Sequence, residues 1–387
     1  MAKRRRSSSG GFDLNSASSR KSGRGIKRRK TKNAATRAAV TVLCVCLAVV
    51  VAFAAFAAVY VKSMLGNVKR EQINSSDIGI TSAAKEKYTE YTTIALLGLD
   101  SRQNDDAGRS DAVMLITFDR VHNKIKLTSV ARDSYVAIER TKKDGTKYTA
   151  HDKLTHAWAY GKHNLSVKTL NQNFGLNIED FVSMNFYQFA DVIDYIGGVD
   201  IDINKSEMKV MNTEYIPYLN KMGIKCSKIT KTGLQHVTGG QALAYARDRY
   251  TGSDLDRGSR QREVLMAMYD SVKDLSVTKY PGRVSRVLDK CTTSLSDGEM
   301  TELLTWVATN RPTFEQLGLP DEACNGKGQT IKGTWYYVYD LDVAASEIQA
   351  FLHETGSFAK SGSDGASSSA VSSKAAASTK PAQSASK

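Results

Sequence analysis

From Ala38 to Val61 the chain runs for 24 residues, AAVTVLCVCLAVVVAFAAFAAVYV, without a charge. As a helix this segment is long enough to cross about 30 Å of hydrocarbon. It therefore divides the protein into a short N-terminal piece and a large C-terminal one. Residues 1–37 hold 13 Lys and Arg against one acid, Asp13, whereas only Lys62, Lys69 and Arg70 follow the span closely. Basic residues stay on the cytoplasmic side, which puts the N-terminus inside and the body outside a cell membrane, crossed once. The basic region and the apolar run are both too long for a cleaved leader, so the segment reads as an uncleaved signal-anchor.

The formal net charge of +14 over 387 residues is unevenly spread. Residues 1–37 carry +12 and residues 357–387 carry +3, leaving −1 for everything between. That excludes a uniformly basic, nucleic-acid-coating body. The basic tail has one aromatic, Phe12, and no groove-reading element. It fits topology and anionic lipid headgroups, and no nucleic-acid partner is expected. With 41% apolar residues in periodic runs, a mostly disordered chain is also excluded. The expected organisation is a disordered basic tail (1–37), a transmembrane helix (38–61), a polar stalk (62–90), a folded body (91–356) and a Ser/Ala-rich tail (357–387). Cys44 and Cys46 lie in the span. Cys226, Cys291 and Cys324 lie beyond it, permit one disulfide of open pairing, and have no CxxC or thiolate–metal spacing.

Within the body, strands and helices alternate. Apolar runs at 92–99, 112–118 and 124–130 read as strands, the last two as a hairpin around Val121–His122. Residues 153–174 read as a helix stopped by Gly175, and 181–185 as a strand. Residues 187–196 read as a helix stopped by Gly197-Gly198, and 199–203 as the strand that follows. Further helices are expected at 241–245, 256–275, after Ser296 with its capping-box Glu299, and at 343–352, with a strand at 335–339. This pattern predicts an α/β domain, a single three-layer α-β-α unit with a mixed central sheet.

The near-neutral body concentrates Arg and Asp in a few places: Asp100 to Arg102, Arg109 to Asp111, Arg132-Asp133, Arg247 to Arg249, and Asp256 to Arg262. In a hairpin centred at 121–122, paired positions sum to 243, so Asp111 faces Arg132. Asp100 ends another strand, and ligands in α/β sheets gather at strand carboxyl ends. Arg247 and Arg249 share a face if extended. Arg257, Arg260 and Gln261 share a face of a helix start, where anions are favoured. Several guanidinium groups suit a diphosphate, and carboxylates beside them suit a divalent cation with oxygen ligands, Mg²⁺ above all. Surface ion pairs explain such neighbours equally well from spacing alone. The body has no HExxH, GxSxG or Walker A pattern.

Six stretches in order resemble the LytR-CpsA-Psr (LCP) family of cell-wall glycopolymer transferases. They are ALLGLDSR (95–102), GRSDAVMLITFD (108–119), LTSVARDSYV (127–136), HDKLTHAWAYG (151–161), YIGGVDIDI (195–203) and GLQHVTGGQALAYARDRYTGSDLDRGSRQREVL (233–265). The resemblance implies an LCP-type domain outside the membrane of a Gram-positive type envelope. Such proteins take a polyprenyl-pyrophosphate-linked glycan and transfer its glycan phosphate to peptidoglycan. By motif, Asp100 and Asp111 would hold Mg²⁺ (or Mn²⁺). Arg132, Arg247, Arg249, Arg257 and Gln261 would bind the pyrophosphate, with Arg109, Lys153 and Arg260 joining that set. Asp111, Arg132 and Arg247 would be catalytic, Asp111 as general base. The family often has Gln-Gln where this chain has Gln261-Arg262, and the loop 250–255 lacks a frequent Pro-Gly. An isoprenoid slot could be lined by Val264, Leu265 and Met268, and by Phe189, Val192 and Ile193, positions that also suit ordinary core. Two other readings use the same site: a non-catalytic binder of lipid-linked wall precursors, and a pyrophosphatase with water as acceptor. A transcriptional regulator acting through the basic tail is disfavoured by the outward-facing body.

Overall fold

The computed structural model describes residues 68–81, 90–100, 108–273 and 290–355. The apolar run expected to span a membrane, both terminal tails, and Ser101 and Arg102 lie outside these. Among the described residues no helix is long and apolar enough to cross a membrane.

The chain opens with β1 (Lys69–Arg70), β2 (Tyr91–Leu99), β3 (Ser110–Asp119), β4 (Lys124–Val130), β5 (Tyr135–Thr141) and β6 (Lys147–Lys153). Next come α1 (His156–Phe174), β7 (Asp180–Asn185), α2 (Phe186–Ile196), β8 (Val199–Ile203) and α3 (Lys205–Val210). A π-helical turn (Met211–Tyr215) leads to α4 (Ile216–Lys221), β9 (Gly233–Val237), α5 (Gly239–Ala246) and α6 (Asp254–Lys273). The remainder is β10 (Thr292–Thr293), α7 (Asp297–Asn310), β11 (Thr313–Leu319), β12 (Lys327–Ile331), β13 (Thr334–Val338) and α8 (Leu341–His353).

A seven-stranded mixed sheet runs β1-β10-β7-β2-β3-β4-β11. The pairs β2/β3, β3/β4 and β10/β7 are antiparallel; β2/β7, β4/β11 and β1/β10 are parallel. The expected mixed α/β sheet is therefore present. The alternation of β2 and β3 dictates its two faces. Ala95, Leu97, Leu99, Val113 and Leu115 point into one core with Trp158, Val167, Leu170 and Phe174 of α1 and with Ile348, Phe351 and Leu352 of α8. Leu96, Gly98, Ala112 and Met114 point the other way, toward α2, α5 and α6. A second core joins α2, β8, α4, α5 and α6 around Ile193, Ile201, Leu219 and Leu243.

Elements with strong local signals fall where the pattern puts them. The β3–β4 register pairs Val113 with Val130 and Asp119 with Lys124, so paired positions do sum to 243. Ser296 caps α7 with a complete capping box. The differences have physical reasons. The helix expected from 153 begins at His156, because Lys147–Lys153 pairs with β5 instead. The segment read as a stalk supplies β1, which pairs with Thr292–Thr293, and Ile78, which is 2% exposed in the first core. Its polar composition hid both contributions. No disulfide joins Cys226, Cys291 and Cys324 to one another; burial pushes the Cys291 thiol up to about 12.

Candidate active site

The site forms where three strand ends and two helix ends meet. Asp100 follows β2, and its amide donates to the Arg109 carbonyl at 3.1 Å, joining the start of β3 to the end of β2. Gly98 lets the strands close here: a Cβ would stand 2.9 Å from that of Ala112. Two residues beyond β4, the Arg132 Nη1 meets Asp111 Oδ1 at 2.8 Å, as the hairpin register requires. Arg132 Nε also lies 3.3 Å from Asp133 and 3.7 Å from Asp254. Arg257, on the first turns of α6, donates to the Asp111 carbonyl and lies 3.4 Å from Asp254. Burial, then the positive charge of Arg132, lowers the Arg257 pKa. Arg247 caps the C-terminus of α5 and lies flat on the Phe186 ring, 3.9 Å from its centroid.

These residues border a cleft of about 650 Å³. Asp100, Asp111 and Gln261 line it together with Arg109, Arg132, Arg247, Arg249 and Arg257. Five guanidinium groups face three carboxylates, counting Glu214, so the cleft favours an anion. Among the described residues, three buried atoms of the cleft side chains lack a hydrogen-bond partner, and Arg132 Nε has Asp133 close by. The other two, Asp100 Oδ1 and Arg247 Nη1, have no hydrogen-bond partner among the described residues and stand 3.9 Å apart. A buried polar atom without a partner costs about 1–3 kcal/mol. A ligand offering a cation to one and an anion to the other would remove both costs.

Gln261, Arg247 and Phe186 also border a second, apolar cavity of about 110 Å³ directly beneath. It lies between the sheet (Leu96, Met114, Val182, Met184) and helices α2, α5 and α6 (Phe189, Leu243, Leu265). Of the six residues considered for an isoprenoid slot, Phe189 and Leu265 line it. Val192, Ile193 and Val264 are fully buried core, and Met268 packs on the second core.

Two residues of the sequence set stand apart from the cleft. Arg260 turns inward, bonding Glu207 at 3.0 Å, the Asp248 carbonyl at 2.9 Å and Thr251 at 2.6 Å. With all three arms engaged it holds the 248–251 loop, which carries Arg249. Lys153 pairs with Asp133 at 2.7 Å, behind Arg132. Sequence reasoning missed Phe186, Glu214, Tyr215 and Tyr218, which complete the cleft wall. The Asn204–Glu207 capping box was the signal that a helix starts before the last three. Arg262, the departure next to Gln261, is buried against Ser129 and Gln316, and desolvation takes its pKa down to about 10.

The orphaned Asp100 oxygen, with Asp111 nearby on the same cleft wall, fits a hard divalent cation. A different cluster, Asp119, His122 and Glu354, is the one carboxylate–imidazole group of metal-binding compactness among the described residues. Ammonium groups already fill it: Lys126 lies 2.7 Å from Asp119, and Lys124 lies 2.7 Å from Glu354.

The model of the LytR_cpsA_psr family matches residues 50–352. The chain belongs to that family. It is 37% identical over 188 residues to a polyisoprenyl-teichoic acid–peptidoglycan teichoic acid transferase, TagT of Bacillus subtilis (strain 168), a match covering 48% of this chain and 53% of TagT. The match thus spans about half the length of that relative. A second transferase, TagU of Bacillus mycoides (strain KBAB4), is 28% identical over 74% of this chain and 86% of its own. Among solved structures, TagT bound to LI-WTA superposes with a TM-score of 0.54 at 27% identity, covering 73% of this chain and 99% of that one. The crystal structure of B. subtilis TagT gives 0.51 at 28% identity, over 68% and 92%.

Proposed function

We propose that this protein is a membrane-anchored phosphotransferase that moves a glycan phosphate from a polyprenyl-pyrophosphate-linked carrier to peptidoglycan during cell-wall assembly. The observation that carries this reading is the union of an arginine-rich cleft with an apolar cavity through Arg247, Phe186 and Gln261. One end suits a diphosphate and the other a hydrocarbon, which is the chemistry of a lipid-linked pyrophosphate. The teichoic acid transferase names of the relatives support it. The apolar run 38–61 supplies the single-pass anchor and contact with membrane lipids, keeping the cleft on the outer face near the lipid carrier.

The chemistry is one displacement at phosphorus. The acceptor hydroxyl oxygen bonds to the glycan-bearing phosphorus, the bond from that phosphorus to the bridging oxygen breaks, and polyprenyl phosphate leaves. Arg132 and Arg257 face the phosphoryl oxygens, and Arg247, above the apolar cavity, faces the charge that grows on the leaving phosphate. Asp111 takes the acceptor proton. A Mg²⁺ or Mn²⁺ ion held by Asp100 and Asp111 would supply further neutralisation of the diphosphate.

The test uses the full chain in detergent, a polyprenyl-pyrophosphate glycan donor and soluble peptidoglycan oligomers. The expected products are phosphate-linked glycan on the oligomer and one polyprenyl phosphate per transfer, with loss of turnover on chelation and its return with Mg²⁺. Polyprenyl phosphate without adduct would mean hydrolysis. Donor binding without any product would mean a non-catalytic binder.

The apolar cavity also makes a prediction. An engineered cavity of about 150 Å³ binds benzene, so a space of about 110 Å³ takes only part of a polyprenyl tail. Leu265→Trp should fill this space. The KM for the lipid donor should rise by roughly 10-fold or more, while stability changes by no more than about 1–3 kcal/mol. Steady-state kinetics with thermal unfolding would check this; an unchanged donor KM would place the tail elsewhere.

A further inference from the structure

Trp335 is 44% exposed, whereas Trp158 is 2% exposed. It projects from the β12–β13 hairpin, and its indole lies over Gly328 of the neighbouring strand. A Cβ at Gly328 would come within 2.8 Å of the indole Nε1 and 2.9 Å of Cζ2, so the glycine leaves a seat for the ring. The hairpin is fastened to the reactive end of the sheet. The Tyr337 amide donates to the Asp133 carbonyl at 2.9 Å, and the Tyr339 hydroxyl to Ser134 at 2.9 Å. Lys153 stands 5.8 Å from the Trp335 ring centre and 2.7 Å from Asp133, which in turn meets Arg132 at 3.3 Å. An exposed, preset aromatic face is thus linked through Lys153 and Asp133 to the arginine that pairs with Asp111.

We infer that Trp335, with Lys153 beside it, is a stacking platform for a sugar ring of the acceptor glycan, a subsite outside the pyrophosphate cleft. The inference rests on the transferase reading above. A flat, rigid indole offers a large contact at low entropic cost, suited to the C–H face of a pyranose. The Lys153 ammonium and the exposed hydroxyl of Thr330, the cross-strand partner of Trp335, offer polar partners at its rim. Direction of approach selects the acceptor over the donor glycan. In a displacement at phosphorus the entering and leaving oxygens are roughly in line. The lipid leaves toward the apolar cavity, which Arg247 borders and Arg132 does not. The acceptor therefore enters from the side of Arg132, where Asp133, Lys153 and Trp335 follow in succession.

The test uses the full chain in detergent with soluble, uncrosslinked peptidoglycan glycan oligomers. Calorimetric titration without donor reads binding alone, and steady-state kinetics read the two KM values separately. Trp335→Ala should weaken oligomer binding about 10-fold, about 1.4 kcal/mol, and raise the acceptor KM alike while the donor KM holds. Trp335→Phe should recover most of the affinity. Gly328→Val, which pushes the indole from its seat, should fall between. Equal oligomer binding by Trp335→Ala and the parent protein would overturn the platform. So would a rise in donor KM in place of acceptor KM, which would assign the ring to the donor glycan. Oligomer binding through Trp335 without transfer would uphold the platform and sink the transferase reading. Transfer with an unchanged acceptor KM in Trp335→Ala would do the reverse.

Discussion

Arg247→Ala should lower kcat for glycan transfer by about 10²–10³-fold, the effect of removing one preorganised donor from a developing oxyanion. Arg247 is the residue shared by the arginine cleft and the apolar cavity, and so the one placed where a lipid phosphate would depart. Its guanidinium lies over Phe186 at 3.9 Å and is flanked by Tyr218 at 5.3 Å, with one buried nitrogen that has no hydrogen-bond partner among the described residues. Those contacts position the group without consuming its hydrogen-bonding capacity. Stability should hardly respond, because the nearest carboxylate, Asp100, is 3.9 Å away and the lost stacking is offset by relief of the unpartnered nitrogen. A shift of about 4 °C or less in Tm is expected, corresponding to roughly 1 kcal/mol. Arg247→Lys keeps the charge but not the planar stack or the two-pronged geometry, and should recover only part of the rate. A kcat within threefold of the parent protein in the Ala variant would remove Arg247 from the reaction.

The second large effect lies near the turn of the β3–β4 hairpin. Lys126 is fully buried, with its ammonium 2.7 Å from Asp119, 2.9 Å from the Leu352 carbonyl and 3.1 Å from Glu354. Lys126→Ala removes the buried ammonium shared by Asp119 and Glu354, leaving His122 and Lys124 to hold them beside the first core. Breaking such a pair from one side costs about 3–5 kcal/mol. Chemical denaturation should read that loss. Activity measured well below the melting temperature should persist, since Asp111 lies eight residues up β3 from Asp119, roughly 27 Å away. The cluster also sets an acid limit. Burial alone would raise the Asp119 and Glu354 pKa values, but hydrogen bonds from Lys126 to both, from His122 to Asp119 and from Lys124 to Glu354 hold them below their ordinary range. Folded values below the unfolded ones, about 3.9 and 4.3, mean a stabilisation fully present above those values. It is lost as the pH falls through the lower folded ones. Unfolding free energy measured from pH 6 to pH 2 should drop steeply below about pH 4. A flat profile there would mean that the pairs contribute nothing.

Much of this site was legible before any coordinates. The pairing of Asp111 with Arg132 follows from alternation in β3 and β4 about a tight turn, and the register agrees residue by residue. Asp100 stands at the end of β2 because an apolar run stops there. Gln261 and Arg257 share the first turns of α6 because helical spacing demands it. What failed was whatever depends on contacts distant in sequence. Arg260 has the same local signature as Arg257, yet Glu207, Asp248 and Thr251 draw it inward. Lys153 looked like a cleft residue and instead serves Asp133. Glu214 and Tyr218 sit in a region of α3, π-turn and α4 whose weak apolar periodicity drew no notice.

By itself the sequence determined an uncharged run long enough for a membrane, a near-neutral body, the mixed α/β sheet and the hairpin that opposes Asp111 to Arg132. Each follows from short-range rules: length, charge count, period and pairing parity. Tertiary structure decided which arginines stay free to meet an anion and which are spent on neighbours. It also decided that an apolar cavity opens beneath Arg247, and that Trp335, more than 200 residues from Arg132 in sequence, is linked to it through Lys153 and Asp133. A guanidinium or an indole is exposed or engaged according to what the fold brings within about 4 Å, and no local pattern records that.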